Sequence, residues 1–87
     1  MHETGLVRDL IRRIDQAAAA SGATRVACVR VWLGAFSHLS EAHFREHFVA
    51  EAQGSAAEGA ALDITLSTDP ADPDAQHLRL ESLDLEV

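Results

Sequence analysis

The chain has 87 residues, enough for one domain with a thin core, because a chain this short buries only about 60–65% of its unfolded surface. At 47% hydrophobic and 24% charged residues it reads as an ordinary globular protein, not a disordered or repetitive one. A net charge of −7 opposes any electrostatic grip on DNA or RNA and favours cations or basic partners.

The first element in chain order is a helix over about residues 4–20. Leu6, Val7, Leu10, Ile11, Ile14, Ala17 and Ala18 repeat at helical spacing, and Arg8, Asp9, Arg12, Arg13, Asp15 and Gln16 fill the other face. Thr4 is a candidate N-cap, and Gly22 is available for a left-handed C-terminal turn. A strand follows over Arg25 to Leu33. Its period-two pattern predicts Ala27, Val29, Val31 and Leu33 on the core face, with Val26, Cys28, Arg30 and Trp32 on a mixed second face. A strand apolar on both sides to this degree suits the centre of a sheet. Trp32 reads better as a residue packed by its own chain at the rim of the core than as an anchor for a partner.

Gly34 breaks the strand, and Ser37 or Ser40 starts a second helix reaching about Ala52, with Glu41, Phe44, Phe48 and Ala52 along one side. Ala61 to Leu66 alternates as a half-buried strand with Leu62, Ile64 and Leu66 inward. Ser67 to Asp74 holds two prolines and three aspartates and predicts a solvated loop. The last strand, from Leu78, changes apolar parity at Glu81-Ser82, which predicts a bulge. Helix, strand, helix, strand, strand implies an α+β two-layer sandwich, a three-stranded mixed sheet with two helices on one face.

Signals for chemistry are sparse. No glycine-rich phosphate loop, nucleophile elbow or HExxH pair is present, so the chain is not expected to be an enzyme. The lone cysteine, Cys28, excludes an intrachain disulfide and any cysteine-rich zinc module, and its apolar surroundings suit a small buried side chain. No stretch nears the ~20 apolar residues of a membrane span, and the start lacks a basic-then-apolar leader, so a cytoplasmic protein is expected. Metal binding is better supported, by five histidines. His43 and His47 share a helical face and would chelate one transition ion, though two imidazoles need further ligands to hold it tightly; a merely solvated face is the simpler reading. His38 lies just upstream. The opening Met1-His2-Glu3 is more specific. A histidine at position two offers its imidazole, its own amide nitrogen and the terminal amine, a set that closes small chelate rings and suits tetragonal Ni(II) or Cu(II).

This opening, followed by an amphipathic helix, resembles the HypA/HybF family of hydrogenase-maturation nickel chaperones. Arg25-Val26 leading into Val29-Arg30-Val31-Trp32-Leu33-Gly34-Ala35-Phe36-Ser37 is similar to the family's strand ending in Ile-Gly-Glu/Ala-Leu-Ser. Gly54-Ser55-Ala56-Ala57-Glu58-Gly59-Ala60-Ala61-Leu62-Asp63-Ile64 resembles its Gly-Thr-x-Ala-Glu-Gly-Ala-x-Leu-x-Ile segment, and Leu78 to Glu86 its closing strand. The resemblance implies that Met1, His2 and Glu3 form a nickel site, with the His2 imidazole and backbone nitrogens as donors and Glu3 tuning or completing it. It also implies Ni(II) delivery to the large subunit of [NiFe]-hydrogenase alongside a nickel-binding GTPase, by ligand exchange and not catalysis. His38, His43 and His47 fall outside that motif.

One departure stands out. The family carries a zinc domain with two Cys-x-x-Cys pairs between its last two strands, whereas this chain has residues 67–77 there and no cysteine among them. Residues 1–87 are therefore expected to form a single nickel-binding domain without structural zinc. The rival expectation is a metal-free adaptor that keeps the fold and a partner surface; binding indifferent to His2 would mark it.

Overall fold

The computed structural model describes residues 3–35, 37 and 40–87, with residues 3 and 4 given by backbone alone. The apolar stripe seen in the sequence drives the first helix, α1 (Glu3–Ala20), whose Val7, Leu10, Ile14 and Ala18 are almost fully buried. Its end is a Schellman turn. Gly22 takes φ +71°, the Gly22 amide donates to the Ala19 carbonyl at 3.1 Å, and the Ala23 amide donates to the Ala18 carbonyl at 2.8 Å.

Strand β1 (Arg25–Leu33) occupies the centre of the sheet, in the order β2-β1-β3, pairing parallel with β2 (Ala61–Leu66) and antiparallel with β3 (Leu78–Glu86). Two register shifts bend the antiparallel pair. One falls between Arg30 and Val31 opposite Ser82 and Leu80, leaving Glu81 as the extra residue where the parity change predicted a bulge. The other falls between Val26 and Cys28 and corrects the expected face of β1. Ala27 is exposed, Val26 is buried, and the core side of the strand is Val26, Val29, Val31 and Leu33.

Helix α2 (Glu41–Ala52) crosses between the two parallel strands. Its cap is Ser40, not Ser37: the Ser40 hydroxyl accepts from the His43 amide at 3.1 Å with the backbone still extended. Phe44, Phe48 and Ala52 are buried against α1 and β1, whereas Glu41, expected on the same side, is exposed. The two rings lie 6.0 Å apart at 38°. Beyond α2, the turn at residues 53–60 is pinned by its own hydrogen bonds and by α1. The Ala56 amide donates to Asp15 Oδ1 at 2.9 Å, and the Ala56 carbonyl accepts from the Val26 amide at 2.9 Å. Asp15→Ala removes the acceptor of a partly buried amide and is expected to cost about 1–3 kcal/mol in a urea melt. A loss below 0.3 kcal/mol would show that water replaces the carboxylate.

Among the described residues no helix covers the second face of the sheet, which carries Cys28, Arg30 and Trp32 of β1. Leu66, expected inward, is 52% exposed at the end of β2. On the β2 edge, the Arg45 guanidinium of α2 donates to the Leu62 carbonyl at 3.1 Å. Trp32 is packed by its own chain, only 8% exposed, with the Arg79 guanidinium 4.0 Å above its ring. Arg79 also reaches Asp74 Oδ2 at 3.0 Å and so ties β3 to the β2–β3 connection. Residues 67–74 are mostly exposed, as their composition predicted, and the anchor lies just beyond them: Ala75 is 5% exposed, its carbonyl oxygen would lie 2.3 Å from a Cβ built on Gly34, and the Gly34 amide donates to the His77 carbonyl at 2.9 Å.

Candidate metal centre

The direction of the helices decides which residues meet. The four residues between α1 and β1 return the chain at once, so α1 runs antiparallel to β1. Because β1 and β2 are parallel, the helix joining them must also run against them. The two helices are therefore parallel to each other, and two cross-links fix their alignment. Arg8 Nε and Nη2 each reach a Glu51 carboxylate oxygen at 3.3 Å, and Asp15 meets Ala56 as above. Both helices begin at the end of the molecule where β1 runs out at Leu33 and the 67–77 connection crosses Gly34.

The candidate ligands Met1 and His2 lie outside the described residues, as do His38 and the side chain of Glu3. What is placed is the point they hang from: the Glu3 backbone opens α1 at this end. His43 and His47 lie on the first two turns of α2, at the same end, His43 exposed and His47 half-buried. Glu51, the next residue on their ridge, is engaged by Arg8, whose guanidinium pKa is raised by that hydrogen bond and charge. Among the described residues no three His, Cys, Asp or Glu side chains converge as a metal site. His43 and His47 therefore lack a third ligand from those residues.

The other charged groups are occupied elsewhere. On the open sheet face Arg30 grips Asp84 through two contacts, at 3.0 and 2.8 Å, which hold the Asp84 carboxyl below the usual carboxylate range and raise the Arg30 guanidinium. Cys28 is half-buried on β1, in register with Asp84. Sequence reasoning missed His77, which the β2–β3 connection carries to the same end as the two helix starts, its Nδ1 3.6 Å from Asp74 Oδ1. Its one signal was Gly34, since a glycine at a strand end marks a close approach of backbone.

These elements define a small α+β sandwich whose two helices start at the same end of the molecule. The same architecture occurs in the solution structure of the Ni metallochaperone HypA from Helicobacter pylori. That structure matches with a TM-score of 0.83 at 21% identity, over 99% of this chain and 98% of that one. A second solution structure of a HypA protein matches with a TM-score of 0.77 at 21% identity, over 98% and 96% of the two chains. The family model for HypA, described as a hydrogenase/urease nickel incorporation metallochaperone, matches residues 1–71, and the chain belongs to that family. The hydrogenase maturation factor HypA of Methylocella silvestris is 33% identical over 66 residues, 76% of this chain. The match spans 58% of that curated relative's length.

Proposed function

We propose that this protein carries Ni(II) as cargo for the maturation of [NiFe]-hydrogenase, holding it at Met1, His2 and Glu3 and surrendering it by ligand exchange. The observation that carries the reading is that the family match begins at residue 1 and so includes a tripeptide whose donor set suits Ni(II). The His2 imidazole, the backbone nitrogens and the terminal amine supply the donors, and the Glu3 carboxylate completes or tunes them. In this reading the protein is not an enzyme. It works in the cytoplasm with a nickel-binding GTPase and the hydrogenase large-subunit precursor, and it needs neither nucleic acid nor membrane. No helix of the described residues is long and apolar enough to cross a membrane.

Structural zinc has no place in this proposal. Between β2 and β3 the chain offers residues 67–77, without cysteine, and their fold is secured by Ala75 against Gly34 and by Arg79 on Asp74. The same substitution favours a second reading, a metal-free adaptor in hydrogenase maturation.

Ni(II) titration calorimetry on protein with its native N-terminus separates the two. The carrier reading expects a one-to-one site that His2→Ala weakens by at least about 100-fold, since it removes the imidazole that closes the chelate. Affinity should also fall on acidification, because the donors bind metal only when deprotonated. A wild-type protein that binds no nickel, yet still pulls down the GTPase, would overturn it in favour of the adaptor.

A further inference from the structure

The two edges of the sheet are not alike. In the parallel pair the Ser67 amide donates to the Leu33 carbonyl, so Leu62, Ile64 and Leu66 turn their backbone groups to the free edge of β2. The Arg45 guanidinium already occupies the Leu62 carbonyl there. At the other edge, β3 has β1 as its strand partner. The Glu86 carbonyl accepts from the Thr24 amide at 3.1 Å and the His77 carbonyl from the Gly34 amide at 2.9 Å, which fixes the phase of β3 at both ends. Counting inward from those ends, Leu78, Leu80, Leu83 and Leu85 direct their N–H and C=O groups away from β1, and the Glu81 bulge absorbs the change of phase between them. The side chains of the same four leucines lie half-buried against the core, on the helix side of the sheet.

A bulge ordinarily blunts an edge. This one makes β3 self-complementary, because the apolar pattern of Leu78-Arg79-Leu80-Glu81-Ser82-Leu83-Asp84-Leu85 reads the same in both directions. Laid antiparallel on a second β3 about a twofold axis between Glu81 and Ser82, it sets Leu78 opposite Leu85, Leu80 opposite Leu83 and Arg79 opposite Asp84, each pair made twice. Leucines then meet leucines on the helix side, and opposite charges meet on the open face. One position further out, His77 falls opposite Glu86. A slip of one residue would instead set Leu80 opposite Asp84 and Leu78 opposite Glu86. Glu81 falls beside the axis in both copies and is already paired with Arg79 of its own strand at 3.7 Å.

We infer that the free edge of β3 is an interface between two copies of this chain, which pair β3 to β3 and join their sheets into one. The test is sedimentation equilibrium with residue-resolved amide exchange on the full chain, at low and at high concentration. The mass is expected to rise from 9.4 kDa towards twice that value. The amides of Leu78, Leu80, Leu83 and Leu85 should slow by at least about tenfold, the factor reached when nine chains in ten are paired, while those of Ile64 and Leu66 at the β2 edge stay fast. Leu83→Lys points a charge at Leu80 of the second copy and should raise the dimer dissociation constant at least about tenfold. Circular dichroism and Trp32 emission check its fold; if it does not fold, exchange in the wild type decides alone. A chain that is monomeric at every concentration would overturn the inference. So would a dimer whose four leucine amides stay unprotected, or one that a folded Leu83→Lys variant forms equally well.

Discussion

Phe44→Ala is expected to remove about 3–5 kcal/mol of stability, the range for truncating a buried phenylalanine. Phe44 has no exposed surface, sits at the centre of the cluster formed by α1, β1 and α2, and stacks at 6.0 Å on Phe48. Its loss leaves a cavity and also breaks the ring pair, worth about 0.5–1.5 kcal/mol beyond burial. A chain of 87 residues has about 4–13 kcal/mol in total, so this single truncation removes a large share of it. The check is the urea midpoint, with the slope of the transition held for comparison. A loss below 1 kcal/mol would mean that α2 collapses into the space and that its seat on the sheet is looser than its burial suggests.

Gly34→Ala is expected to cost about 1–3 kcal/mol, the usual penalty for overpacking, and to dislodge the β2–β3 connection locally. The added Cβ would lie 2.3 Å from the Ala75 carbonyl oxygen and 2.5 Å from that of Asp74. Both obstacles are backbone, so no side chain can swing aside. The effect is steric and differs in kind from Gly22, where nothing lies within 4 Å but φ is +71° and any side chain is strained. Trp32 is the only tryptophan and the chain has no tyrosine, so intrinsic fluorescence reads this region directly. Movement of residues 74–75 should loosen the Asp74–Arg79 contact, and with it the guanidinium over the indole, changing the emission. Unchanged emission together with an unchanged melting temperature would refute the close approach.

Much of this architecture is legible without coordinates. The stripe from Val7 to Ala18 and the alternation of Leu62 and Ile64 fix their elements because burial of apolar surface dominates there. The Glu81 bulge is legible because a charged residue interrupts two runs of alternating leucines. The Ala27 bulge is not, since alanine tolerates either face and leaves the parity of the strand ambiguous. Ser37 and Ser40 are equal as caps in the sequence, and only the fit of Phe44 into the core selects the second. The anchoring of the 67–77 connection is not legible, because it comes from the close approach of Ala75 to Gly34, over thirty positions away, and from Arg79 on Asp74. For the candidate site, the donor types in Met1-His2-Glu3 and His43/His47 can be read from spacing. That α1 and α2 begin at one end cannot, because it depends on the long-range parallel pairing of β1 with β2.

That parallel course has an electrostatic consequence. Each helix carries about half a positive charge at its N-terminus, and here both positive ends face the same pole of the molecule. Any cation placed there would meet two opposing dipoles, each worth about 0.3–1 kcal/mol against it. Glu41, in the first turn of α2, offsets part of that field. The field of the fold at that pole therefore favours negative charge and disfavours positive charge.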